Sequence, residues 1–243
     1  MRLIGLFIFA VWNCAVAGAQ ELQLQSGVDK NYVVELYTSE GCNSCPPADR
    51  WISSLTQSKQ LWHDIIPAAF HVTYWDYLGW RDRFARREFD SRQRRMAKLA
   101  GASVYTPGVF LSGAQWRAWR RLLDGRVDLP RIEVGELIVG ISNDVLNVSF
   151  NPVDDLGDLI LEIVWMDRAA ETDVQAGENA GRKLQHNFVV REVVSQPMQK
   201  TSHDWTLSLM VPAHMAGHDA IGVWVRNRSG EIIQATGGWL GRG

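Results

Sequence analysis

Long apolar segments are scarce in this sequence, and the one at the N-terminus is short. It runs from Leu3 to Ala17, about fifteen residues, fewer than the ~20 that a membrane-spanning helix needs. Arg2 precedes it and the small residues 17–19 end it, an arrangement typical of a secretory signal peptide. We therefore predict a signal peptide over residues 1–19, a mature chain that begins at Gln20, and a secreted or periplasmic protein without a stable membrane span.

The sequence also lacks a large excess of charge of one sign, and it lacks internal repeats. The chain has 25 Lys and Arg against 27 Asp and Glu, a formal net charge of −2, and for a secreted protein this balance argues against a nucleic-acid partner. We find no repeat of roughly 20 to 50 residues and no low-complexity tract, which argues against a repeat architecture. We identify no cofactor motif and predict no cofactor.

Only three cysteines occur in the chain. Cys14 lies in the apolar segment and is lost with the signal peptide. The mature chain then keeps Cys42 and Cys45, so any intramolecular disulfide must join these two. In an oxidising compartment we expect them to rest as a disulfide.

The two cysteines lie between a predicted strand and a predicted helix. The run 33–37 is strand-like, Gly41 permits a tight turn, and Pro46 suits the first turn of a helix because its missing N–H is no loss there. Free N–H groups at a helix N-terminus stabilise a thiolate and lower its pKa from about 8.5 to between ~3.5 and ~7.5. We expect Cys42 to be the exposed, acidic thiol and Cys45 to be covered by the first turn.

The pattern of the chain changes near its middle. Residues 20–128 carry 15 Lys and Arg and 12 Asp and Glu, whereas residues 129–243 carry 9 and 15. The second part alternates in the manner of strands separated by turns, which is typical of a β-sandwich. The strand-like runs are 136–141, 145–150, 159–165, 188–194, 205–211 and 220–226. The segment 81–98 predicts an amphipathic helix with a basic outer face. This face docks onto the acidic second part, or it attracts an acidic partner or the membrane surface.

Four strings resemble a known family. They are 35–49 (ELYTSEGCNSCPPAD), 71–80 (HVTYWDYLGW), 104–107 (VYTP) and 177–184 (GENAGRKL). A CxxC after a strand, followed by a later strand entered through Thr-Pro, resembles the thioredoxin fold, in which that proline is cis and faces the cysteines. Together the strings resemble a secreted thioredoxin-like family of proteobacteria catalogued as domain of unknown function 1223. The chain departs from the family pattern at Thr73, where an acidic residue is expected, and its Asn43-Ser44 pair differs from the thioredoxin and disulfide-isomerase pairs.

The resemblance implies a fold class: an α/β thioredoxin-like domain followed by an all-β sandwich-like domain. We place the first, with a helical insertion, over residues 29–127 and the second over residues 130–241.

By analogy, the resemblance also implies thiol-disulfide exchange on a periplasmic protein or a small-molecule thiol or disulfide. Cys42 attacks, Cys45 resolves, Thr106 offers its backbone to the substrate, and Pro107 keeps a competing N–H out of the site. Glu35 is either the buried carboxylate that takes a proton from the second thiol or a surface or salt-bridged residue.

Other interpretations stay open. Soft ligands select Cu(I), so a copper-binding or copper-delivery protein is one alternative, with the Met and His residues at 210–218 as candidates. A second alternative is a secreted binding or scaffolding protein in which the disulfide is only structural. The aromatic segment 75–80 lines a substrate groove or packs in a core.

Overall fold

The computed structural model describes residues 22–121 and 127–241. These residues form fifteen strands and two α-helices, with four short 3₁₀ turns. The predicted signal peptide, 1–19, lies outside the described residues. The first part contains β1 (Leu22–Gln25), β2 (Tyr32–Thr38), α1 (Pro46–Ser54), β3 (Ile65–His71), α2 (Arg87–Leu99), β4 (Gly108–Leu111) and β5 (Ala114–Gln115). The second contains β6 (Gly135–Ser142), β7 (Val145–Pro152), β8 (Leu159–Asp167), β9 (Ala170–Asp173), β10 (Lys183–His186), β11 (Val189–Pro197), β12 (Gln199–Lys200), β13 (Trp205–Met210), β14 (Ala220–Asn227) and β15 (Ile232–Trp239).

One eight-stranded sheet runs through both parts of the chain. Its strand order is β15-β14-β8-β11-β3-β2-β4-β5. β2 and β3 are parallel, and β11 continues the sheet beside β3, also parallel, with Val189 paired to Ala69. The remaining neighbours are antiparallel. Strands from the first and second parts of the sequence are therefore hydrogen-bonded into the same layer.

A second, antiparallel sheet covers part of the first. It has five strands in the order β1-β6-β7-β13-β12. Along β8, Val164 and Met166 belong to the core that contains the helices, whereas Ile163 and Trp165 belong to the core shared with the five-stranded sheet. Because β8 is buried on both faces, its sequence is a nearly continuous apolar run. β9 and β10 form a separate two-stranded ribbon.

The helix α2 packs on the large sheet through a stripe of buried residues. These are Phe89, Arg92, Gln93 and Met96, which share one helical face. The ring of Phe89 meets the ring of Phe70 edge to face at 5.2 Å. The helix begins at Arg87, six residues later than the amphipathic segment predicted from Arg81.

The predicted fold class is wrong. The described residues do not divide into an α/β thioredoxin-like domain and a separate β-sandwich, because strands of both parts share the eight-stranded sheet. The described chain is mostly β, with two α-helices and three sheets. The error has a physical cause: alternation along a strand reports which face is buried, but not which distant strand lies beside it. None of the helices in the described ranges is long and apolar enough to cross a bilayer.

Candidate functional site

The two cysteines lie where β2 leads into α1, and they form a disulfide. Their Cα atoms are 5.4 Å apart. The Cys42 N–H donates to the carbonyl of Ser39, and the Cys45 N–H donates to the carbonyl of Cys42. Cys45 occupies the N-cap position and α1 begins at Pro46. Cys45 is therefore the cysteine at the N-terminus of the helix. The sequence predicted Cys42 at this position.

A hydrogen-bond chain ends on the sulfur of Cys42. The Thr106 hydroxyl donates to Cys42 Sγ over 3.3 Å, and the indole N–H of Trp75 donates to Thr106 Oγ1 over 2.7 Å. Because an indole N–H can only donate, the hydroxyl hydrogen of Thr106 is free to point at the sulfur. Ser44 Oγ lies 3.4 Å from the same sulfur. The structure thus brings together Thr106, Cys42 and Cys45, which the sequence assigned to one site. The Thr106-Pro107 peptide bond is cis.

A loop from the second part of the chain covers the cysteines. We call residues 174–182, between β9 and β10, the cover loop. The Asn179 amide nitrogen donates to the carbonyl oxygens of Glu40 and Cys42, at 2.8 and 2.9 Å. The Asn43 N–H donates to the Glu178 carboxylate over 3.0 Å. Both cysteines are 0% exposed in this disulfide form. The sequence predicted an exposed Cys42, whereas the structure buries it.

Glu35 is buried in β2 and paired with a cation. Its Oε1 accepts hydrogen bonds from the Nε and Nη2 of Arg92, at 2.9 and 2.5 Å. Arg92 Nη2 also donates to Glu162 over 2.7 Å. Burial raises the pKa of Glu35, and the opposing effect of Arg92 is smaller. The contacts favour the salt-bridged interpretation of Glu35, and its proton-accepting role stays a prediction.

A cluster of buried acidic and histidine side chains lies next to the disulfide, and the sequence reasoning missed it. We call its members Glu40, Asp49, His71, Asp82 and His186 the acid–histidine cluster; all five are buried. His71 Nδ1 and Asp82 Oδ2 are 2.7 Å apart. His186 Nε2 lies 3.5 Å from Glu40 Oε1, and its Nδ1 lies 3.9 Å from Asp49 Oδ1. The two imidazole rings stand edge to face at 4.8 Å.

Burial and neighbouring charges shift the pKa values of three members of this cluster. Burial raises the pKa of Asp49 more than His186 and His71 lower it. Burial is also the largest effect on His71 and lowers its pKa, but Asp82, Asp49 and Glu40 together raise the pKa by more. The pKa of Asp82 is lowered, because the charge and hydrogen bond of His71 and the backbone N–H groups of Glu40 and Phe84 together outweigh its burial. The His71–Asp82 contact is therefore the short pair of the cluster, whereas His186 meets Glu40 and Asp49 only at 3.5 and 3.9 Å.

The aromatic segment is divided between several contacts. The Trp80 indole N–H donates to Glu40 Oε2 over 2.8 Å, and Asp76 accepts the backbone N–H of Asp82. Tyr77 is 78% exposed. Trp75 and Trp80 thus hold the site together, whereas Tyr77 is available to a ligand.

The candidate copper ligands lie in different surroundings. Met215 is buried in the core shared by the two sheets, and Met210 is exposed. His218 Nδ1 lies 2.7 Å from Asp167. Across residues 22–121 and 127–241, no three His, Cys, Asp or Glu side chains are placed to hold a metal ion.

The fold and the site define a β-rich protein with a covered CxxC disulfide beside buried ionisable groups. The chain belongs to the family described as "Protein of unknown function (DUF1223)", whose model matches residues 33–226. The predicted family is confirmed, although the thioredoxin-like fold that it implied is wrong.

Two solved structures show the same fold. The crystal structure of protein AGR_C_4864 from Agrobacterium tumefaciens is 24% identical, with a TM-score of 0.61 over 87% of this chain and 94% of that one. HBP35 of Porphyromonas gingivalis is 14% identical, with a TM-score of 0.61 over 88% of this chain and 76% of that one. None of the curated proteins matches the chain.

Proposed function

We propose that the protein exchanges disulfides through the Cys42–Cys45 pair. One observation carries the proposal: the Trp75 indole holds the Thr106 hydroxyl with its hydrogen directed at Cys42 Sγ. A hydrogen bond donated to a charged acceptor contributes about 1.5–3 kcal/mol, more than one to a neutral group. The arrangement therefore favours the Cys42 thiolate, which is the form that attacks a disulfide.

The small size of the cross-linked loop supports a redox role over a purely structural one. The cysteines are three positions apart. In the chain-entropy account, a loop of about four residues contributes on the order of 2 kcal/mol, against ~3 for fifteen residues. The bond restrains the unfolded chain little, whereas the side chains around the sulfur are arranged in detail.

The proposed reaction balances without a further reagent. The Cys42 thiolate attacks a substrate disulfide, a mixed disulfide forms, and one substrate sulfur leaves as a thiolate. Cys45 then loses its proton and attacks Cys42 Sγ, releasing the second substrate sulfur. The substrate is reduced by two electrons and the cysteine pair is oxidised; the reverse sequence oxidises a dithiol. Since the cover loop buries Cys42 in the disulfide form, exchange requires the loop to move away.

The substrate class follows from the predicted location. A secreted or periplasmic chain meets protein disulfides and small-molecule thiols, and these are the proposed partners. The exposed ring of Tyr77, next but one to Trp75, offers an apolar surface with a polar tip to such a partner.

Trapping tests the proposal. In Cys45→Ser the mixed disulfide cannot be resolved, so incubation of the reduced variant with glutathione disulfide should yield a stable adduct that dithiothreitol removes. Cys42→Ser is the matched control and should form little adduct. Equal adduct on both variants, or adduct on neither, would contradict the assignment of Cys42 as nucleophile.

The burial of both sulfurs favours a second candidate, a secreted binding protein with a structural disulfide. The two candidates differ in the exchange shown by the reduced wild-type protein and in the stability of the double variant Cys42→Ser/Cys45→Ser. A structural role predicts little exchange with glutathione disulfide by wild type and a double variant of reduced stability, whereas a redox role predicts exchange by wild type and a double variant that still folds.

A further inference from the structure

The acid–histidine cluster contains several buried polar atoms with no hydrogen-bond partner in the structure. They are Glu40 Oε1, Asp49 Oδ2, His71 Nε2 and both ring nitrogens of His186. An unpaired polar group in a protein interior costs about 1–3 kcal/mol, and native proteins keep few of them. Two of these atoms, Glu40 Oε1 and His186 Nε2, face each other at 3.5 Å, and a cluster of weakly paired acidic and histidine side chains in a protein interior is a candidate for a functional site.

The position of Asp49 links the cluster to the disulfide. Asp49 follows Cys45 by four residues, and its N–H donates to the Cys45 carbonyl over 3.1 Å. Side chains four apart on a helix lie on the same face, with Cβ atoms roughly 5–6 Å apart. Both side chains are buried. Asp49 is thus a buried carboxylate one helical turn from the thiol that must lose its proton for the mixed disulfide to be resolved.

The other end of the cluster reaches a cavity. Asp49 and His186 line a cavity of about 260 Å³ together with Pro46, Arg50 and the other three residues of β10, Lys183, Leu184 and Gln185. His186 lies between Asp49 and Glu40, with one ring nitrogen towards each carboxylate. A proton received by Asp49 therefore has a path through His186 towards the cavity, which Arg50 and Lys183 flank with positive charge.

We propose that Asp49 accepts the Cys45 proton when the mixed disulfide is resolved, and that His186 carries it on towards the cavity. This inference rests on the proposed disulfide exchange. The proton moves from Cys45 Sγ to the Asp49 carboxylate, the Cys45 thiolate attacks Cys42 Sγ, and the departing substrate sulfur takes up a proton. The titratable groups that act on Asp49 are His186 on β10, His71 on β3 and Asp82 after β3. Arg50 and Lys183 line the cavity with it, and Glu40 lies against the other ring nitrogen of His186.

A single-turnover experiment on the mature protein separates the two chemical steps. Reduced protein is mixed with glutathione disulfide, quenched in acid at set times, and assayed by intact mass for the mixed disulfide and the closed disulfide. In Asp49→Asn, resolution should slow about 100-fold at pH 7, within the range expected for lost general-base catalysis. Formation of the mixed disulfide should change less than about threefold, because Cys42 is activated by Thr106.

The pH profile and companion variants make the test specific. The wild-type resolution rate should depend on an ionisation that is absent from Asp49→Asn, and Asp49→Glu should restore part of the rate. His186→Gln should slow resolution less than Asp49→Asn does. The exposed Asp64 supplies the control variant Asp64→Asn, which should behave as wild type.

The outcomes test the role of Asp49 separately from the proposed disulfide exchange. If Asp49→Asn resolves the mixed disulfide as fast as wild type from pH 5 to pH 9, the role of Asp49 is overturned while exchange stands. If the wild-type protein forms no mixed disulfide, the exchange proposal is wrong and this inference falls with it. Should Asp49→Asn fail to fold, resolution measured in Asp49→Glu and His186→Gln decides: an unchanged rate and pH profile in both overturns the proposal.

Discussion

The hydroxyl oxygen of Thr106 lies 3.3 Å from the sulfur of Cys42 and accepts a hydrogen bond from the indole of Trp75 at 2.7 Å. These three side chains come from segments that are far apart in the sequence. The hydrogen bond to the sulfur strengthens when the sulfur is charged, since charge-assisted hydrogen bonds are about twice as strong as neutral ones. Under the proposed function, we therefore expect Thr106 to lower the pKa of the reduced Cys42 thiol.

The first prediction removes that hydroxyl. Thr106→Val keeps the shape of the side chain and deletes the donor, and we expect it to raise the pKa of the Cys42 thiol by about 1–2 units, from about 1.5–3 kcal/mol of lost stabilisation. The pKa is measured from the pH dependence of alkylation of reduced protein in a Cys45→Ser background. Thr106→Ser is the control and should leave the pKa within a few tenths of a unit. An unchanged pKa in Thr106→Val would show that the hydroxyl does not act on the thiolate.

The second prediction concerns the cover loop. Asn179→Ala deletes the amide that donates to the carbonyls of Glu40 and Cys42. Losing two buried hydrogen bonds should loosen the loop, so dithiothreitol should reduce the disulfide about 10-fold faster, a change of about 1.4 kcal/mol in loop opening. The rate is followed by quenching with an alkylating reagent and mass analysis.

An exposed amide on the neighbouring strand provides the control for this loop. Gln185 lies on β10 and is exposed. Gln185→Ala should reduce at the wild-type rate. If Asn179→Ala also reduced at that rate, the cover loop would not govern access to the sulfurs.

Several elements of the fold were predictable because their signals are local. The run 145–150 lies within β7, and the run 159–165 lies within β8. Alternating or continuous apolar residues specify a strand from its own sequence. The sheet order is different, since the pairing of Val189 with Ala69 joins positions that share no local pattern.

The site was predictable only in part for the same reason. The cysteines and Thr106-Pro107 carry recognisable strings, whereas the acid–histidine cluster gathers residues from separate segments. His71 was the one local signal, because a histidine at the end of an apolar strand is costly unless it is paired. The string around Asn179 was recognised as a family feature, but its position over the cysteines is set by the long path of the chain between β9 and β10.

The third prediction tests the buried ion network of α2. Arg92 is bound by Glu35 and by Glu162, and all three are buried. Arg92→Met leaves Glu35 buried without a cation and Glu162 with Arg226 as its remaining cation, and it should lower the free energy of unfolding by about 3–5 kcal/mol. Urea denaturation with the disulfide intact measures the change. Arg94→Met on the exposed face of the same helix is the control and should cost less than about 0.5 kcal/mol. Equal effects of the two substitutions would contradict the structural role of the network.

The last prediction concerns the His71–Asp82 pair and the way in which the free energy of unfolding depends on pH. In the folded protein the pKa of His71 is raised above its ordinary value of 6.5, so folding favours the charged imidazole. Its contribution to stability is fully present below the unfolded pKa and is lost as the pH rises through the folded pKa. The pKa of Asp82 is lowered, so its contribution is present above the unfolded pKa and is lost only as the pH falls through the folded value.

Asp82→Asn removes the charge that keeps His71 protonated. Burial, the largest single effect on the pKa of His71, is then opposed only by the more weakly acting Asp49 and Glu40, so we expect the pKa to fall. Between pH 5 and pH 8 the stability of Asp82→Asn relative to wild type should therefore rise with pH. Wild type loses the stabilising contribution of charged His71 as the pH rises. In the variant, His71 becomes neutral over the same range, and the cost of burying a charged ring disappears. The free energy of unfolding, measured by urea denaturation at each pH with the disulfide intact, gives this difference directly. Asp64→Asn, at an exposed site, should stay parallel to wild type over the same range. A constant difference between Asp82→Asn and wild type would mean that Asp82 does not set the charge of His71.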